Sequence, residues 1–296
     1  VPIGMAGQIR TTSGLLSIAF AVLMAVLSIK YSHKSLLRLG LLLYIVSAVA
    51  IYFSSSLNML FIFYAFSGIA TAMVNPMINT LIGSHVPAEK RTTVIGWTIA
   101  GLSTMYLAGS LSASYLSNWG WRMALLVIIV PITLLNMILF NTQIPVVERL
   151  SSKGASFSSL LEGYGACKGR SPLGCIFGTV FGLATWNAYL IFGASYWRQI
   201  FSLSTSKTAL GMIGTTLAYI LGSLLAGRIS KKIGLRNMLI YSTGLIGAVT
   251  LFAFNSPSFP ISYVLATIAS VLAGSMITAS SSFSLSQVPH HRGTMM

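Results

Sequence analysis

The 296-residue sequence has no aspartate and only three glutamates, Glu89, Glu148 and Glu162, against 18 lysines and arginines. Without aspartate there is no aspartyl dyad. The chain also lacks His-Glu-x-x-His, Gly-x-Ser-x-Gly and a phosphate-binding glycine loop, so an enzyme is not expected. Its two cysteines, Cys167 and Cys175, are too few for a disulfide framework and show no metal-ligand spacing; they read as small apolar residues, and neither metal nor cofactor is expected. The opening "VPIG" has no initiator Met and no basic stretch ahead of an apolar one, which is unlike a signal peptide and reads as a fragment or a start-less gene product.

Charge of either sign is scarce. Only 7% of residues are charged while 55% are hydrophobic, too little polar surface to cover a water-soluble globule. The apolar runs are close to the roughly 20 residues with which a helix crosses the bilayer's hydrocarbon, and a helix satisfies its own backbone groups there. The net charge of +15 does not indicate nucleic acid, because the cations lie in short clusters between apolar runs.

Breaks at charges, Pro and Asn/Ser clusters predict nine spans, near 4–27, 35–55, 57–83, 92–116, 121–141, 171–196, 207–227, 237–254 and 259–285. Alternating the connections puts 14 of the 18 cations on one side, leaving Arg10, Arg122, Arg198 and Lys207 on the other. Basic loops stay in the cytoplasm, so the side of Lys231 and Lys232 is expected to be cytoplasmic in a multi-pass protein of the cell membrane. All three acids and all four histidines fall in the same segments, leaving the predicted membrane interior without carboxylate or imidazole. The expected organisation is an N-terminal helical bundle (1–141), a cytoplasmic linker (142–170) and a C-terminal bundle (171–296). Within the linker, "FSSLLEGY" reads equally as a short interfacial helix or a plain loop.

Shifting the chain against itself by 202 residues aligns Ser28 with Ser230, Lys30 with Lys232, Lys34 with Arg236 and Leu37 with Leu239. The same shift lays Val86-Pro87 on Val288-Pro289. Two motifs at one offset imply two related bundles with equivalent basic turns.

These residues resemble the major facilitator superfamily of transporters. Its signature turn, Gly-x-Leu-Ala-Asp-Arg-x-Gly-Arg-Arg, is matched by Gly227, Ile229, Lys232, Gly234 and Arg236, with Lys231 in place of Asp. In the first copy Ala25, Ile29 and Ser32 replace Gly, Asp and Gly. "VPAEKR" (86–91), "GWR" (120–122) and "VPHHRG" (288–293) fall at further family positions, so the nine spans are similar to family helices 2 to 10. Helices 1, 11 and 12 would then be absent. The resemblance implies an all-α membrane fold of two bundles and alternating-access transport of a small organic solute; a monomer embedded in the lipid bilayer is expected. A transporter-like receptor or scaffold without flux is the rival reading.

In the family such turns latch the bundles and tune their rocking, so Gly227, Arg228, Lys231, Lys232, Gly234 and Arg236 are gating candidates; setting orientation alone is the alternative. Gly234 is expected to take positive φ. Tyr64 stands near the family's proton-linked Arg, and "AGLSTMYLAGSLSAS" (100–114) has no Gly-Pro pair, which argues against drug/proton antiport. By the family's cavity-lining helices, the substrate-site candidates are Asn75 and Asn79, then Trp186, Asn187 and Tyr189, then Ser280 among Thr278 and Ser281. Each has a packing alternative: a helix–helix bond for Asn75 beside Pro76, neighbour or lipid contact for part of the 186–189 set, close packing for the Ser/Thr cluster. Arg10, one turn inside the first span, either serves an anionic substrate or snorkels to the outer interface. With no interior acid, an anionic or neutral substrate is expected.

Overall fold

The computed structural model describes residues 3–116, 122–123, 125–143 and 169–287, and among these described residues the apolar stretches, punctuated by Pro, Gly and charge, form nine α-helices. They are α1 (Ile3–Lys30), α2 (His33–Tyr52), α3 (Leu57–His85), α4 (Ala88–Leu116), α5 (Val130–Gln143), α6 (Arg170–Ile200), α7 (Thr205–Ile233), α8 (Leu235–Phe254) and α9 (Phe259–Gln287). Among the described residues, seven segments are long and apolar enough to cross a membrane: α2, α3, Leu125–Thr142, and one in each of α6 to α9. Large apolar side chains such as Phe177, Phe181, Leu221, Leu251 and Phe252 point outward, as lipid contact requires.

Helix ends differ from the expected spans where charge was taken as a stop. The span placed at 207–227 runs on to Ile233, so Arg228, Lys231 and Lys232 ride on the last turns of α7. Lys and Arg are good helix formers, and cations are favoured at a helix C-terminus. Before α5 lies a five-residue π-helical stretch, Leu125–Ile129. Pro131 has no N–H to give the Val127 carbonyl, which fits a widened turn there.

The 202-residue shift reappears in the helix boundaries. It carries the start of α1 (Ile3) onto that of α7 (Thr205), His33 and Tyr52 of α2 onto Leu235 and Phe254 of α8, and Leu57 and His85 of α3 onto Phe259 and Gln287 of α9.

By contacts the chain divides into two units. The first holds α1, α2, α3 as far as Leu81, α4 from Gly109 onward, and α5; the second holds Ile82–Ala108 and α6 to α9. Most of α4 thus groups with the helices after the expected linker. Of that linker, residues 144–168 lie outside the described residues, as does "VPHHRG".

The first unit packs Met24 of α1, Leu36 and Leu37 of α2, and Met73, Val74, Met77 and Leu81 of α3 into one core. The Ser47 hydroxyl donates to the Phe63 carbonyl (2.9 Å), and Tyr44 pairs with Thr71 (2.7 Å) between α2 and α3. In the second unit, α7 and α9 approach so closely that Gly274 faces the Tyr219 carbonyl, and Ser275 donates to the Gly222 carbonyl at 3.1 Å. Lipid tails are as apolar as leucine, so such contacts hold helices together by dispersion and hydrogen bonding.

Candidate functional site

The second unit contains a layer of aromatic rings. Trp186 and Tyr189 sit one helical turn apart on α6 and share a face; the Trp186 ring stacks on Tyr219 of α7 with centroids 5.1 Å apart and planes 9° from parallel. Tyr189 donates to Thr215 Oγ1 at 3.2 Å and meets Trp197 and Phe254 edge-on. Trp197 Nε1 donates to Ser262 Oγ at 2.9 Å, and the Ser262 hydroxyl in turn donates to the Ala253 carbonyl at 2.9 Å, so one hydroxyl ties α6, α8 and α9 together. Small residues Ala266, Ala269 and Ala273 of α9 make room for the rings.

The remaining candidates divide between the units. Asn187, the residue between Trp186 and Tyr189 that leaves their face, donates to the Leu183 carbonyl of its own helix at 2.8 Å. Ser280 is buried and paired with the Thr179 hydroxyl, while Thr278 bonds the Gly274 carbonyl at 2.9 Å. Asn75 is exposed and Asn79 half-buried on α3 of the first unit. Arg10 is on α1, and its side chain lies outside the described residues. Tyr64 lines a small apolar cavity with Ile9, Ile51, Leu60 and Leu125 in that unit.

The basic turn is built around Gly234, at φ 82° and ψ 151°, a region open essentially to glycine alone. Its N–H donates to the Ser230 carbonyl (2.9 Å) and its carbonyl accepts from Met238 (3.0 Å), so one residue ends α7 and starts α8. Arg228, Lys231, Lys232 and Arg236 are exposed around it. The first copy makes its turn differently: Ser32, at φ −67°, caps α2 by accepting from the Ser35 N–H at 3.1 Å. Its Lys34, expected in water, is only 8% exposed.

A third arrangement was not singled out in the sequence. The first half of α4 lies flat on α7 and α9: Gly96 faces the Ser223 carbonyl, Gly227 faces Thr93, and Thr92 and Ser282 pair at 2.7 Å. Side chains no larger than a hydroxyl let the backbones touch. The signal was present as four-residue spacing of small residues, Thr92-Gly96-Ala100, Ser223-Gly227 and Thr278-Ser282.

Comparison with known proteins agrees with this architecture. The cis,cis-muconate transport protein of Acinetobacter baylyi is 26% identical over 212 residues, covering 66% of this chain and 49% of that protein. Multidrug resistance protein 2 of Bacillus subtilis is 22% identical over 253 residues, covering 77% of this chain and 60% of its own length. The matched segment thus spans about half to three-fifths of these curated relatives. Among solved structures, the transporter FucP in its outward conformation has a TM-score of 0.74 at 14% identity, over 100% of this chain and 81% of that one. The human organic anion transporter MFSD10 (TETRAN) has 0.75 at 15% identity, over 98% and 73%. The sequence profile that describes the Major Facilitator Superfamily matches residues 1–296, and the chain belongs to that family.

Proposed function

We propose that this chain belongs to a secondary transporter or facilitator that carries a small organic solute, anionic or neutral, across the cell membrane by alternating access. The observation that carries the reading is family membership over the whole chain, with a muconate transport protein among the relatives. The absence of interior acids in the sequence favours an anion over a cation.

The α4 seam suits a helix that docks and releases. Its face presents Thr92, Thr93 and Gly96 to Ser223, Gly227 and Ser282, and a turn further on Ile99 packs against the aromatic layer. When it parts, Thr92 and Ser282 can each turn to a carbonyl four residues back in their own helix, so opening leaves no orphaned hydroxyl. The basic turn at 228–236, placed in the cytoplasm by the charge asymmetry, would bias this equilibrium from outside the membrane.

The test is uptake by the whole protein in proteoliposomes, offered radiolabelled cis,cis-muconate, other small organic anions, neutral solutes and organic cations. Saturable uptake of an anion or a neutral solute supports the reading. Binding without uptake would favour the receptor alternative, and uptake restricted to cations would remove the charge assignment.

A further inference from the structure

The four buried rings of the aromatic layer divide by what their polar atoms meet. Tyr189 donates to Thr215 and Trp197 to Ser262, so both are satisfied inside the protein. Trp186 and Tyr219 are only 7% and 9% exposed, yet among the described residues neither Trp186 Nε1 nor Tyr219 Oη has a hydrogen-bond partner. Neither atom is sealed off, since the fully buried side-chain polar atoms left unpartnered among the described residues are Thr243 Oγ1 and Thr250 Oγ1. Buried indole N–H and phenol O–H groups ordinarily find partners, because an unpaired donor at such depth costs about 1–3 kcal/mol.

The surroundings hold the pair in place. Trp186 stacks on Tyr219 at 5.1 Å and on Tyr189 at 5.4 Å, which takes up the indole face and leaves its polar edge to offer. Gly274 of α9 lies against the Tyr219 carbonyl. One turn along α7, the Ser223 carbonyl meets Gly96 of α4, and Ile99 of α4 packs on the aromatic layer itself. The two unpaired donors thus sit on fixed side chains beside the α4 seam.

We infer that Trp186 Nε1 and Tyr219 Oη are the donor pair that reads a carboxylate of the carried solute. An indole N–H only donates, so it selects an acceptor and offers nothing to an ammonium group. Hydrogen bonds to an ionised acceptor are roughly twice as strong as those between neutral groups, so a carboxylate is favoured over its ester. The inference rests on the transport reading for the solute's presence at this layer, and narrows its anionic-or-neutral class to carboxylates.

Binding to the purified whole protein tests it without requiring flux. Isothermal titration with cis,cis-muconate, benzoate, succinate and lactate, each beside its methyl ester, is expected to show a carboxylate bound more tightly than its ester. Tyr219→Phe removes only an oxygen that has no protein partner, and Trp186→benzothienylalanine keeps the bicyclic ring while replacing N–H with sulfur. Each should weaken the Kd of that carboxylate by roughly tenfold or more and leave the Tm of the ligand-free protein unchanged. Trp197→Phe deletes an N–H that Ser262 already satisfies, so it should do the reverse, lowering the Tm with Kd unchanged. An unchanged Kd in either of the first two variants would leave that atom to water and overturn the inference. So would a carboxylate bound no more tightly than its ester, or none of the four bound by the native chain. Proteoliposome uptake separates the two readings: weakened Kd in the variants with no uptake by the native protein would sink transport alone, and uptake with Kd unchanged in the variants would sink the donor pair alone.

Discussion

The hydroxyls of Thr92 and Ser282 meet at 2.7 Å, joining two helices whose contact residues are 190 positions apart. That proximity brings the two side chains within reach of a disulfide after small rotamer changes. In a whole protein carrying Cys167→Ser and Cys175→Ser, the pair Thr92→Cys with Ser282→Cys should crosslink on oxidation. Uptake is then expected to stop and to return on reduction. Crosslinked protein that transports at the original rate would show that the α4 seam stays shut throughout the cycle.

Gly234 gives the second prediction. Its φ of 82° with ψ of 151° is closed to side-chain-bearing residues, so Gly234→Ala should cost on the order of 1–3 kcal/mol of stability, read as a lower Tm. Asn tolerates the left-handed helical region but not this one, so Gly234→Asn should be no milder. Gly234→Val should slow turnover more than it raises the half-saturation concentration, because the turn is disturbed and the aromatic layer is not. Ser32→Gly, at the equivalent turn with ordinary φ, should cost roughly 1 kcal/mol or less.

Trp197 is 1% exposed and anchors the hydroxyl shared with Ala253. Trp197→Phe should cost about 1 kcal/mol, the lost indole hydrogen bond, and Trp197→Ala about 3–5 kcal/mol through the cavity it leaves. Thermal unfolding of purified protein distinguishes the two. Equal effects would mean that the ring's volume contributes nothing beyond its N–H.

Topology is tested by labelling. Cysteines replacing Lys90 and Lys232, both exposed, should react with an impermeant maleimide only from the cytoplasmic side, and one replacing Asn255 only from outside. Lys34 is a poor reporter because it is buried against Asn141. Reaction of the Lys232 and Asn255 positions from the same side would overturn the charge-based orientation.

Arg10 supplies the last prediction. If it draws an anionic substrate, Arg10→Gln should raise the half-saturation concentration in uptake assays, more at low salt where screening is weak. An unchanged half-saturation concentration at low salt would leave Arg10 as an interfacial anchor.

The sequence was legible where physics acts locally. Apolar length gave the helices, the paired motifs gave a repeat whose 202-residue offset recurs in the helix boundaries, and Gly234 announced its own turn. What sequence spacing could not supply was partnership. Lys34 looks like a solvated loop cation until Asn141, more than a hundred positions later, is brought beside it. The basic residues at 228–232 look like a loop because charge was read as a stop, whereas they extend a helix that ends at Ile233. Trp186, Asn187 and Tyr189 cannot all share one helix face, but spacing does not say which of them packs; the two rings join the aromatic layer and the amide turns onto its own backbone.

The near-parallel stack of Trp186 and Tyr219, 5.1 Å apart, has an optical consequence. Two chromophores held at fixed angle and short range couple their electronic transitions, and an ordered aromatic environment gives near-ultraviolet circular dichroism that vanishes when packing loosens. The pair belongs wholly to the second unit, so the part of the signal that Trp186→Phe removes would report the melting of that unit. A spectroscopist could follow one half of this molecule without attaching a dye.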